Sequence, residues 1–135
     1  VSGSIREIGR YLLDTNVAIA ILNDKIDLER YRGGGHDVFL STTVLGELCF
    51  GAENSSRVGE NFTKIRRLVN LCPVLVCDEE TARHYGIIKK LLQQRGNPIP
   101  ENDIWIAASA RQHELTLVTR DVHFGPVEDL IVERW

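Results

Sequence analysis

Four carboxylates in this 135-residue chain stand where acids can act together: Asp14, Glu47, Asp103 and Asp121. Asp14 and Asp121 each close a short apolar run that reads as a β-strand. Glu47 lies on the helical segment after another such run, and Asp103 opens a helix that follows a proline-rich loop. In a parallel sheet, residues leaving the carboxyl ends of strands share one edge, and ligands bind there. Four acids gathered at that edge repel one another unless protons or cations intervene. Carboxylate oxygens without Cys or His partners suit Mg²⁺ or Mn²⁺, one ion or two. Two such ions about 4 Å apart lower the pKa of an attacking water and stabilise the leaving oxygen of an in-line displacement at phosphorus. Each acid also has a purely structural reading. Asp14, Asp103 and Asp121 stand near helix or turn starts, where a carboxylate caps backbone N–H groups, and Glu47 alone is an ordinary exposed helix residue. The functional reading rests on their conjunction.

The elements that must position these acids follow from hydrophobic periodicity. Tyr11–Leu13 predicts a first strand stopped at Asp14, and TNVAIAILND predicts a largely buried helix carrying Val17 and Ile21. Lys25 to Arg32 reads as a helical turn or two ended by Gly33–Gly35, and Val38–Leu40 as a second strand. Ser41 or Thr42 then caps a helix with Val44, Leu45, Leu48, Cys49 and Ala52 on one face; Glu47 is about 130° around the wheel from that stripe and so faces away from the core. Val58, Phe62, Ile65, Val69 and Cys72 make the next helical stripe, ended by Pro73. Val74–Val76 reads as a third strand, and Asp78 begins a helix lined by Ala82, Tyr85, Ile88 and Leu92. The loop RGNPIPEN delivers Asp103 to the helix IWIAASARQH; Thr116–Thr119 forms a fourth strand and Leu130–Val132 a last one. Strands alternating with helices of about 10 to 17 residues predict an α/β fold: a small parallel sheet flanked by helices on both faces. With no linker or repeat, residues 1–135 read as one domain, in which residues 1–9 are taken as a processed or added end.

Composition narrows the function. Sixteen Lys and Arg against nineteen Asp and Glu give a net charge of -3, which is not the balance of a strongly basic nucleic-acid binder. Its distribution is uneven: residues 60–95 hold seven basic side chains against four acids, and residues 96–135 three against seven. A basic rim beside an acidic cleft would hold phosphates; solvated helix faces are the alternative. No apolar run reaches the length of a membrane span, and the first ten residues lack a signal-peptide core, so a cytoplasmic protein is expected. Cys49, Cys72 and Cys77 form no C-x-x-C pair and read as buried free thiols; the four histidines lack metal-ligand spacing.

With these residues in view, the chain resembles PIN-domain ribonucleases, and among them the VapC-type toxins of bacterial toxin–antitoxin pairs. The matching stretches are YLLDTNVAIAIL at 11–22, STTVLGELCFGA at 41–52, GNPIPENDIWIAASA at 96–110 and LVTRDVHFGPVEDLIVERW at 117–135. The resemblance places the family's acidic quartet on Asp14, Glu47, Asp103 and Asp121, without departure. It places two supporting polar residues on Asn16 and Thr119, which would orient the carboxylates or a metal-bound water. It implies a PIN-like fold and Mg²⁺- or Mn²⁺-dependent cleavage of RNA that leaves a 5′-phosphate and a 3′-hydroxyl. Asp14 and Asp103 would be direct metal ligands, with Glu47 and Asp121 holding a second ion or orienting water. It further implies a cognate antitoxin whose tail covers the site, a homodimer or larger toxin–antitoxin assembly, and no membrane. Two other functions stay open: a catalytically silent binding module of the same fold, and a housekeeping metal-dependent nuclease.

Other features read more plainly. Gly33–Gly35 lacks the following G-K-[ST] of a phosphate loop and is a turn. Asp14-Thr15-Asn16 lacks the second acid of a D-x-D phosphotransferase. His123 reads as a packing or turn contact, with a touch on substrate or metal as its alternative, and Cys49 and Phe50 read as core or interface.

Overall fold

Leu12 and Leu13 are adjacent in sequence and both fully buried, which is possible for consecutive strand residues only where both faces of a sheet are covered. They belong to β1 (Arg10–Leu13), the central strand of a five-stranded parallel sheet in a computed structural model that describes residues 8–135. The other elements follow as α1 (Thr15–Leu22), α2 (Glu29–Arg32), β2 (Asp37–Ser41), α3 (Thr42–Glu53), α4 (Val58–Leu71), β3 (Val74–Leu75), α5 (Glu79–Gln94), α6 (Glu101–Gln112), β4 (Thr116–Val118), a 3₁₀ turn (Val122–Phe124) and β5 (Val132–Glu133). All but residues 8 and 9 of the amino-terminal segment set aside above lie outside the described residues.

The strand order is β3-β2-β1-β4-β5. The chain winds outward from β1 through β2 to β3, then returns to β4 on the other side of β1 and continues outward to β5. Right-handed crossovers put the helices of the two halves on opposite faces, and the reversal lies between β1 and β4, where Tyr11 pairs with Thr116 and Leu13 with Val118. A crevice at the carboxyl ends of strands is expected at such a reversal.

Local chemistry explains the boundaries. Asp14 leaves β1 with extended backbone and accepts from Thr15 N, starting α1. Ser41 caps α3 by accepting from Val44 N. Asp78 and Thr81 form a reciprocal capping box at the start of α5. Six residues of α6, Ile104, Ile106 and Ala107–Ala110, are buried, so this helix runs through the core rather than along its surface.

Several expected boundaries and faces shift. Only Glu29–Arg32 of the Lys25–Arg32 stretch is α-helical, and α1, with eight residues, is shorter than the expected range. Val76 lies outside β3, and Cys77, next to it, is exposed rather than buried; Cys72 is buried and Cys49 half-buried. On α4, Leu68 is buried while Val58 is exposed. On α5, Thr81 rather than Ala82 faces the core, because its hydroxyl is satisfied by Asp78 and by Gln112, 2.5 Å away. The helix α6 begins at Glu101, inside the predicted loop. The last strand is Val132–Glu133, not Leu130–Val132, because pairing with Leu117 and Val118 sets its position. Beyond it, Trp135 stacks on Tyr31 and meets Tyr11 edge-on.

Candidate active site

The four acids reach the reversal point from four different elements and are joined by a network of side-chain contacts. Asp14, 4% exposed, is the most enclosed. Its Oδ1 accepts from Thr15 N at 2.8 Å and its Oδ2 accepts from the Thr119 hydroxyl at 2.6 Å. The Thr119 oxygen in turn accepts from Asp121 N at 2.9 Å. One hydroxyl therefore ties the end of β1 to the segment leaving β4. Burial pushes the Asp14 carboxyl above its ordinary value; the hydrogen bonds from Thr119 and Thr15 oppose this, while the charges of Glu47 and Asp121 add to it.

Asp103 sits in the first turn of α6 and makes no capping hydrogen bond. Its side chain is 15% exposed and faces His123, whose Nδ1 is 3.5 Å from Asp103 Oδ2 and 3.0 Å from Asp121 Oδ1. Ligand atoms of Asp103, Asp121 and His123 all lie within 4.8 Å of one another, a separation one cation can span. Burial, then the charges of Asp14 and Asp121, push the Asp103 carboxyl up to about 6, although His123 pulls the other way. Burial is the larger cause, and the neighbouring carboxylates add to it at a place poor in positive charge.

Glu47 is held to one side of this group. Its Oε2 accepts from the Thr15 hydroxyl at 2.5 Å and its Oε1 from the Asn102 carboxamide at 2.9 Å. Among the described residues Asn16 makes no hydrogen bond to a carboxylate; its Oδ1 accepts from Arg120 N at 3.2 Å and so fastens the loop between Thr119 and Asp121. The capping reading holds in part: Asp14 caps α1 and Asp121 caps the 3₁₀ turn by accepting from His123 N.

The donor set fits a hard divalent cation. It offers carboxylate oxygens with spare lone pairs, and no Lys or Arg among the described residues forms an ion pair with any of the four acids. The basic residues of 60–95 are partly spent elsewhere, Arg83 on Glu79 and Glu80, Lys89 on Glu101, and Arg95 on Glu128. Lys64 shares a hollow with Glu47 and Asn61.

His123 makes the expected turn contact, its N–H donating to Asp121 Oδ1, and the short 3₁₀ turn also folds its ring over Asp103 and Asp121. Two contributors escaped the sequence reading. Thr15 and Asn102 each adjoin a recognised acid and hold a third, Glu47; adjacency to Asp14 and Asp103 was their only signal. Phe50, expected in the core or an interface, is 71% exposed and does not belong to the core.

A family model described as "PIN domain" matches residues 11–130. Ribonuclease VapC2 of Haemophilus influenzae is 33% identical over 129 residues, covering 93% of this chain and 98% of its own length. The tRNA(fMet)-specific endonuclease VapC of Shigella flexneri is 33% identical with the same coverage. Among solved structures, VapBC2 from Rickettsia felis bound to a promoter DNA fragment aligns with a TM-score of 0.86 at 27% identity, covering 93% of this chain and 98% of that one.

Proposed function

The chain belongs to the PIN-domain family, and from that premise we propose that it is a VapC-type ribonuclease, the toxin of a toxin–antitoxin pair, cutting RNA with the help of Mg²⁺ or Mn²⁺. The observation that carries the reading is the uncompensated group of Asp14, Asp103 and Asp121 at the strand reversal, with Glu47 held beside it. Asp14, Asp103 and Asp121, with Glu47 toward a second position, would hold one or two ions. Such an ion supplies a water of lowered pKa and charge stabilisation for the leaving oxygen.

The chain's own residues supply orientation. Thr119 fixes the Asp14 carboxylate and the backbone of Asp121 through one oxygen, which sets the spacing of two acids from different strands. Thr15 and Asn102 grip both oxygens of Glu47, and Asn16 anchors the Arg120 backbone. His123 places an N–H between Asp103 and Asp121 and limits their repulsion. Preorganisation of this kind removes reorganisation from the chemical step.

The partner would be a cognate antitoxin, in keeping with the similar VapBC2 structure, and a basic side chain of that partner would answer the acidic site. The Shigella flexneri relative makes tRNA(fMet) the first substrate to try. No helix among the described residues is long and apolar enough to cross a membrane. The test is cleavage of RNA by the purified protein with Mg²⁺ or Mn²⁺. Asp14→Asn and Asp103→Asn should each abolish cutting while circular dichroism stays unchanged. Full cleavage by both variants would refute the assignment of the site.

A further inference from the structure

A hollow adjoining Glu47 is left unused by the acidic group. It is an open cleft of about 630 Å³ lined by Thr15, Thr42, Thr43, Gly46, Glu47, Phe50 and Asn102, a size within the range of small-ligand sites. Phe50 lies one helical turn beyond Glu47 on α3, so the ring and the carboxylate rise from the same side of the helix. A phenylalanine ring 71% exposed beside a polar cleft offers an open π-face. Around it stand groups with hydrogen-bonding capacity to spare. The Asn102 carboxamide donates to Glu47 Oε1, and its carbonyl oxygen has no partner among the described residues. Among the described residues the hydroxyls of Thr42 and Thr43 hydrogen-bond only with the thiol and N–H of Cys77. At Gly46 an added Cβ would meet nothing within 4 Å, so the floor opens into free space.

We propose that this hollow seats one unpaired nucleobase of the RNA next to the scissile phosphate, stacked on Phe50, with its polar edge toward Asn102 and its ribose hydroxyl toward Thr43. The proposal rests on the ribonuclease reading and deepens it. A base inside a duplex has both faces covered by its neighbours, so the site selects single-stranded or loop segments. Glu47 lines the hollow and accepts from the hydroxyl of Thr15, whose N–H donates to Asp14, which places the seated base beside the reacting phosphate.

The experiment measures binding apart from cleavage. Fluorescence anisotropy with the non-cleaving Asp103→Asn protein follows a labelled single-stranded RNA, intact or with one abasic position moved along it. Adding Phe50→Ala should weaken intact RNA by about fivefold or more, and Phe50→Trp should restore it. Gly46→Leu, which fills the hollow, should act like Phe50→Ala. On the RNA abasic at the seated position Phe50→Ala should cost nothing further, because the two losses share one contact. Three results would overturn the proposal: affinity within about twofold for both Phe50→Ala and Gly46→Leu; an equal Phe50→Ala penalty on every abasic RNA; or unchanged RNA affinity with an altered mass by light scattering, which makes the ring a contact between copies. The ribonuclease reading fails separately, if the wild-type protein with either metal cuts no RNA.

Discussion

Replacing Asp103 by Asn should stabilise the metal-free protein while destroying its activity. The carboxyl is raised to about 6 from an ordinary 3.8 by burial and by the charges of Asp14 and Asp121. Between those values the folded chain holds a proton that the unfolded chain has released, so stability falls as pH rises through the window and the full penalty is present above it. At 1.36 kcal/mol per tenfold change, the upper bound is about 3 kcal/mol. Screening by solvent and a few tenths of a kcal/mol of lost helix-dipole attraction in the first turn of α6 reduce the expected gain to about 1–2 kcal/mol. With about 2.1 cal/mol/K of unfolding entropy per residue, that gain raises Tm by roughly 4–7 °C. The assay is thermal unfolding in EDTA at pH 7.5 and at pH 4: the variant should melt higher at 7.5 and close to wild type at 4. Mg²⁺ should then raise the wild-type Tm by mass action and the variant's far less. A variant that is less stable at pH 7.5, or whose advantage persists undiminished at pH 4, would refute the claim that Asp103 pays a charge penalty in the folded chain.

Thr119→Val keeps the shape but removes the hydroxyl that joins Asp14 to the Asp121 backbone; it should lower stability by about 1–3 kcal/mol and lower kcat more than it raises KM, as read from urea unfolding and steady-state cleavage. Thiol labelling with an aromatic disulfide should proceed in the order Cys77, Cys49, Cys72, since Cys77 is exposed and burial pushes the Cys72 thiol up to about 12; labelling of Cys72 in the folded protein at the Cys77 rate would contradict its burial.

The parallel sheet and the acidic quartet were legible because both rest on strong local signals. Short apolar runs with an Asp at or just beyond their end, directly after Leu13 and three residues after Val118, mark strand ends, and a strand end in this fold class is already a place in space. Asp14 and Asp121 could be found that way without knowing which strands pair. What escaped depends on pairing or on polar burial. The position of β5 is decided by its ladder to Leu117 and Val118, whereas its own residues are exposed and show no alternation. Thr81 is buried because Asp78 and Gln112 satisfy its hydroxyl, a compensation that hydropathy does not register. His123 faces the acids through a 3₁₀ turn, which has neither the period of a helix nor that of a strand. Phe50 was assigned to the core or an interface from its apolar character, and only its surroundings show it to be exposed.

The single oxygen of Thr119 between Asp14 and Asp121 also bears on how much of the chain a site requires. Those two acids lie 107 positions apart in the sequence, and they become neighbours only when Thr116–Val118 lays itself against Tyr11–Leu13. An incomplete chain ending before Thr116 would carry three of the four acids and still have no site. For a protein read as a toxin, the hazardous constellation therefore needs nearly the whole chain: a copy that ends before Thr116 lacks both the strand and the acid that complete it.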